Sequence, residues 1–431
     1  MTAAQTYLFY AAICIVCLLC AWHAERNGTR RGLVLCAVIL TGVAGFRAFD
    51  VGIDTLPYKA GIEYFHTYGR VSWMTSFSHG YGVFTSLLLR IHDDYSFVLL
   101  VQAAITNGLV LARFWDLRRT CSLTCMVLTY LGTAYFVTLC ITCQYVAIAL
   151  VFYGSRFADT GKPVIYCLFI AAASALHTSA LIAFADIAMR YCSFKGASPL
   201  GLLMRLLALV VLPVAGIAVW RTLAERYASY AENESSLGLM VFVQMAVFVV
   251  VLLVSGYFAR DRARGRGAGR GSGGRIVGGR TVGGWALEGG GASGRRGPCL
   301  GAGGAGLGTR RRVRGGGRRA GSLAAAGPSD TAQDGSVRAE LAHAAPYAVR
   351  LYTVGLLLSA ASYVIVNAGR IAYYFTLYGA VCFGAAAKHA STSKSRLACA
   401  ILIFGWLVAY GVYTYFLHEG LGIVPYSFVW C

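Results

Sequence analysis

Residues 7–23 read YLFYAAICIVCLLCAWH, a run with no acid, lysine or arginine. Its length and apolarity approach the roughly 20 residues that an α-helix needs to cross the hydrocarbon core of a bilayer. In that medium every backbone N–H and C=O must be satisfied within the segment, so the run predicts a helix. No basic region precedes it, and it reads as a retained first span, not a cleavable leader.

Similar runs recur along the chain. A second covers 32–49, and after a polar stretch at 50–79 a piece at 80–91 is too short to cross. Longer runs occupy 95–113, 121–142, 199–220 and 237–258, with shorter ones at 144–157, 163–175 and 177–191. Three more, at 347–366, 370–387 and 397–416, close the chain. The composition agrees: 57% of residues are hydrophobic and 13% charged, with a mean hydropathy of +0.62. A soluble fold of this make-up would leave too much apolar surface facing water. We expect an all-α, polytopic integral membrane helical bundle of about 10–12 transmembrane or half-spanning helices.

The organisation that follows is an N-terminal transmembrane region (1–258), a Gly/Arg-rich segment (259–345) and a C-terminal transmembrane region (346–431). The middle segment holds 16 arginines against 5 acids, more than half of the net charge of +20, and its one aromatic residue is Trp285. Such a composition buries too little apolar surface to fold. Two readings stay open. One is a disordered cytoplasmic loop. The other is a frameshift artefact, because GC-rich DNA read out of frame yields mostly Gly, Arg and Ala, and membrane sequence resumes at Tyr347. An RNA-binding tract would interleave aromatics for base stacking, so no nucleic-acid partner is expected. The Gly301-x-Gly303-x-x-Gly306 pattern is expected by chance in so glycine-rich a stretch, and no strand precedes it.

Many of the 14 cysteines lie inside apolar runs, where they act as small hydrophobes. Cys140 and Cys143 form one Cys-x-x-Cys with no second pair, and no acidic cluster stands out. Neither a metal nor a cofactor is expected.

Orientation follows from arginine and lysine in short loops. Five basic clusters stand out: Arg26 with Arg30 and Arg31; Arg113 with Arg118 and Arg119; Arg156 with Lys162; Arg190 with Lys195; and Lys388 with Lys394 and Arg396. One topology puts all five in the cytoplasm. It places 50–79, 221–236 and the C-terminal tail outside, although Arg221 and Arg226 then lie on the outer side.

Ionisable groups at membrane depth are costly and each needs a reason. Arg47 ends the second run, and Asp50-Val51-Gly52-Ile53-Asp54-Thr55-Leu56-Pro57-Tyr58 follows it. Gly52 and Pro57 shape a turn there. Asp54 and Thr55 either cap the next helix or project Asp54 towards a substrate. His177, in Leu176-His177-Thr178-Ser179-Ala180, is either a satisfied packing residue or part of a helix break lining a cavity. Arg370, in Asn367-Ala368-Gly369-Arg370-Ile371-Ala372-Tyr373-Tyr374-Phe375, either anchors a span end by snorkelling or serves a site. Gln144 and the loop carrying Tyr227 and Tyr230 complete the set.

In this order the elements resemble the EpsG family of Wzy-like polysaccharide polymerases. Arg47 with Val51, Gly52, Asp54 and Tyr58 is similar to the family's arginine and following vG-x-D-x-x-x-Y element. Gln144 and Ala147 match its mid-chain Arg-Gln element, with Cys143 in the arginine's place. His177, Ser179 and Ala180 match His-x-Ser-Ala, and Tyr227 and Tyr230 match Y-x-x-Y. Arg370, Tyr374 and Phe375 match a late R…Yf element, and Pro425-Tyr426 a terminal Pro-Tyr. His79 stands where the family often has an acid, before Gly80-Tyr81.

The resemblance implies a multi-pass glycosyltransferase of the bacterial inner membrane. Its substrate would be oligosaccharide repeat units on undecaprenyl pyrophosphate, joined at the periplasmic face into exopolysaccharide or O-antigen. The lipid bilayer, a chain-length regulator and a flippase are the partners it implies. The implied catalytic residues are His177, Asp54 and Arg370. Arg47, Tyr58, Gln144, Ser179, Tyr227, Tyr230 and Tyr374 would bind substrate. Arginine suits a pyrophosphate because its fork donates paired hydrogen bonds and stays charged. Histidine suits a general base, while a carboxylate would need its pKa raised by burial. An O-antigen ligase and a lipid-linked sugar flippase are the rival readings. Ligases usually carry a large folded periplasmic loop, which is not seen here, and transporters often show internal repeats.

Overall fold

The computed structural model describes residues 1–69, 79–191, 238–256, 344–362, 368–390, 392–417 and 421–430. The run at 199–220, the tyrosines 227 and 230, and nearly all of the Gly/Arg-rich segment lie outside the described residues. The chain is an all-α, polytopic membrane protein. Three described helices are long and apolar enough to cross a bilayer: Ala3–Asn27, Tyr95–Leu117 and Ser393–Tyr415. Arg31–Gly45, Leu123–Thr138, Pro163–Leu176, Met240–Val254 and Tyr347–Ala361 are shorter apolar helices.

Helix α1 (Ala3–Asn27) opens on a capping box between Thr2 and Gln5, which satisfies two of the helix's orphan N–H groups. Helix α2 (Arg31–Gly45) returns beside it, and α3 (Thr55–Tyr68) and α4 (His79–Ile91) follow. The short run at 80–91 is thus a helix, with Tyr81, Leu88 and Leu89 on its buried face. Helix α5 (Tyr95–Leu117) is capped by Asp94, whose carboxylate accepts from the Ser96 N–H at 3.0 Å. Helix α6 (Leu123–Thr138) has a π turn at Leu131–Tyr135, and Glu25 of α1 accepts from Thr124 N–H (2.9 Å) and Oγ1 (2.7 Å) at its start.

Helix α7 (Thr142–Asp159) is the centre of the bundle. Its first eight residues are all buried, the polar Thr142 and Gln144 among them. It packs between α5 and α8 (Pro163–Leu176). A 3₁₀ turn (Thr178–Ala183) and α9 (Phe184–Tyr191) follow. Further on come α10 (Gly238–Val254), α11 (Ala344–Ala361), α12 (Ala368–Thr376), α13 (Tyr378–His389) and α14 (Ser393–Gly411). The single run read at 370–387 is therefore two helices, divided at Leu377.

The two ends of the bundle differ. Representatives of all five basic clusters meet at one end. Arg30 and Arg118 lie over the Trp115 ring, Arg156 pairs with Asp116, Arg190 reaches Asp159, and Lys388 donates to the Arg118 carbonyl. Arg113 differs from a solvated loop cation: it is buried and pairs with Asp159. At the other end the C-terminal tail lies against the loop after α2. Ala48 N–H donates to Ser427 O (2.9 Å), Val429 N–H to Phe46 O (3.0 Å), and the Tyr426 hydroxyl to Val43 O (2.8 Å).

Candidate active site

The loop 46–54 leaves α2 and turns at Gly52, where φ is +97°. A Cβ there would lie 2.6 Å from the Leu139 carbonyl oxygen, so both the backbone angle and the space demand glycine. The tail fixes the turn from the other side. Gly52 N–H donates to Gly422 O (2.7 Å) and Ile53 N–H to Leu421 O (3.1 Å).

This turn delivers Asp54 to the first residue before α3. A helix cap there would accept a bond from the first turn, but the Asp54 side chain makes no such bond. Its Oδ2 instead accepts from an Nη of Arg370, 3.3 Å away and 316 residues on in sequence. The pair is neither buried nor free in water: side-chain exposure is 14% for Asp54 and 25% for Arg370. Burial pushes the Asp54 carboxyl above its usual range, and the adjacent guanidinium only partly pulls it back.

Arg370 sits in the first turn of α12, and its backbone is held by α7. Gln144 Nε2 donates to Arg370 O at 2.6 Å. Gln144 is buried, and its Oε1 has no partner among the described residues. One turn after Arg370, the Tyr374 hydroxyl accepts from Ser179 Oγ (3.1 Å). Ser179 Oγ in turn meets His177 Nδ1 at 2.6 Å. The expected break at His177 is present. Helix α8 ends at Leu176, His177 is extended at φ −149°, ψ 113°, and a 3₁₀ turn follows. Ser179 Oγ thus links the His177 ring to the Tyr374 hydroxyl. The Arg370 charge is close enough to bear on the His177 ring.

The first turn of α7 organises the whole assembly. Thr142 Oγ1 accepts from Arg47 at 3.0 Å, Cys143 Sγ reaches Leu176 O at 3.6 Å, and Gln144 holds α12. Arg47 is fully buried, and its other Nη donates to Ala44 O. Tyr58 is buried with its hydroxyl against the Cys143 backbone, and its ring is 6.1 Å from that of Tyr81. No side chain caps α7, so the positive end of its dipole is left for other acceptors.

Asp54, Arg370, His177, Ser179, Tyr374 and Gln144 are thus brought together, while Arg47 and Tyr58 lie beneath them. Tyr227 and Tyr230 lie outside the described residues. Thr142 and the tail carbonyls of Leu421 and Gly422 were not foreseen. Thr142 carries no pattern of its own, and the tail's one signal was Pro425-Tyr426.

Residues 32–264, more than half of the chain, match the EpsG family. The chain belongs to the EpsG family. Membership supports a polysaccharide polymerase-like role in a membrane. The EpsG match contains Arg47, Asp54, Tyr58, Gln144, His177 and Ser179, and ends before Arg370 and Tyr374. The fold brings those two to the EpsG residues all the same. Neither a curated protein nor a solved structure matches the chain.

Proposed function

We propose that the chain polymerises lipid-linked oligosaccharide repeat units at the periplasmic face of the bacterial inner membrane. The growing glycan leaves its undecaprenyl pyrophosphate and passes to a hydroxyl on the end sugar of a second lipid-linked unit. The observation that carries this reading is the half-buried Arg370–Asp54 pair beside His177, in a chain of the EpsG family.

In this mechanism the anomeric C–O bond to pyrophosphate breaks as the new glycosidic C–O bond forms. Arg370 takes the charge that develops on the leaving group, helped by the uncapped N-terminus of α7. The His177 imidazole takes the proton of the attacking hydroxyl, and Ser179 and Tyr374 hold the ring. Asp54 orients Arg370 before substrate arrives and binds sugar hydroxyls after it. Tyr58, Gln144 and Arg47 position these groups from below. Tyr227 and Tyr230 are assigned to the sugar by resemblance alone. A chain-length regulator and a flippase are the proposed partners.

The test is substitution in a polymer-deficient host, with polysaccharide length read on gels. Arg370→Ala removes one charge-stabilising donor, a loss of about 10²- to 10³-fold in rate. Single repeat units should then replace polymer at normal protein level. Full-length polymer from Arg370→Ala or His177→Ala would overturn the assignment. Loss of all surface glycan would favour a flippase, and polymer stranded on lipid a ligase.

A further inference from the structure

A groove of about 910 Å³ runs between α2 and α5, away from the candidate active site. It extends from Arg30 to Phe46 on one wall and from Leu100 to Asp116 on the other. At 1.5 Å per residue that is about 24 Å, enough for an acyl chain across one leaflet of a ~30 Å core. Near its far end the two helices touch closely, and a Cβ on Gly45 would come 2.7 Å from Leu100 Cα. Gly42 and Gly108 also line the groove, and a Cβ at either meets nothing within 4 Å. The middle is apolar, with Val34 and Val38 exposed.

Its polar groups are all but confined to one end. Arg30, Trp115, Asp116, Tyr153 and Arg156 line that end. Arg156 pairs with Asp116 at 3.2 Å, while Arg30 and Arg118 lie 5.6 and 4.0 Å from the Trp115 ring centroid. Two guanidinium groups of the groove, Arg30 and Arg156, therefore meet one carboxylate, and Arg118 adds a third positive charge beside Trp115. The Trp115 indole N–H is buried and has no acceptor among the described residues. A buried donor without an acceptor is costly, and an oxygen supplied by an occupant of the groove would remove that cost.

We propose that this groove binds one anionic phospholipid, its acyl chain between α2 and α5 and its phosphate among Arg30, Trp115, Arg118 and Arg156. The charge distribution selects this occupant. A zwitterionic headgroup gains less from the excess of arginine. A polyprenyl pyrophosphate engaged at Arg370 would have its headgroup at the opposite end of the bundle. The lipid braces the α2–α5 seam.

The test is native mass spectrometry of the purified full chain, released from micelles containing equal phosphatidylglycerol and phosphatidylethanolamine. Retention of one phosphatidylglycerol is expected. Arg30→Gln with Arg156→Gln should reduce that retention about 30-fold, since each arginine near a lipid headgroup adds roughly fivefold. Gly108→Leu, whose Cβ meets no protein atom within 4 Å and whose side chain enters the groove, should abolish it. Equal retention of the two phospholipids, unchanged retention in both variants, or retention of undecaprenyl phosphate in their place would overturn the proposal. Should Gly108→Leu fail to fold, the arginine variant decides alone.

Discussion

Two clusters of charge among the described residues, one near each end of α7, are built on opposite principles. At the basic end, Asp159 accepts from both Arg113 and Arg190, and Arg190 Nε donates to Asp186 at 2.6 Å. The Tyr166 hydroxyl donates to the other oxygen of Asp186 at 2.8 Å. Two cations face two anions, all buried. At the other end the single pair, Asp54 with Arg370, is partly exposed, holds at 3.3 Å, and has a histidine within electrostatic reach. Its cation is tethered through its backbone by Gln144, so the guanidinium can exchange one anion for another. A balanced buried network ties helices together. A half-exposed pair with backbone anchors is poised to accept a ligand.

The comparison can be broken most severely at Asp159. Replacing it by alanine leaves Arg113 and Arg190 buried without their shared carboxylate, at a cost of about 3–5 kcal/mol. Asp159→Ala should lower the amount of folded protein recovered in detergent, and polymer should fall only in proportion. Normal folded yield with lost polymer would place this network in the chemistry instead.

Asp54→Asn should do the reverse, removing polymer while keeping the fold. The sign of its pH effect follows from the raised Asp54 pKa. A carboxyl whose pKa is higher in the folded state binds its proton more tightly there, so wild-type stability falls as pH rises from the usual aspartate range through the raised value. The variant lacks that loss. Melting curves across that window should show Asp54→Asn gaining on the wild type as pH rises. A variant that loses ground would mean that the Arg370 pairing outweighs burial.

The smallest expected effect is that of Ser179→Ala. It removes one hydrogen bond that fixes the His177 ring, worth about 0.5–1.5 kcal/mol, or roughly two- to tenfold in rate. Polymer should shorten without disappearing, and folded yield should not change. Loss as complete as that of His177→Ala would give the serine a direct part in the reaction.

The distribution of these residues explains what could be read early. Asp54, His177 and Arg370 stood out because charge among apolar runs is costly and therefore visible. The expected break at His177 appears as the end of α8. Arg113 resembles a loop cation in sequence because its partner Asp159 lies 46 residues away and its burial has no local signature. The run at 370–387 looks like one span in sequence because no proline or charge marks the division at Leu377.

By itself the sequence determined the all-α membrane class and the approximate extent of most described helices, and it singled out Asp54, His177 and Arg370 as charges set among apolar runs. Each of these is fixed locally, by the cost of exposing backbone or charge to lipid. Tertiary structure alone decided that Asp54 faces Arg370 and does not cap α3, that Arg47 lies beneath the site, and that the C-terminal tail clamps the Gly52 turn. Those outcomes depend on contacts between segments up to several hundred residues apart, and no local preference of the chain encodes them.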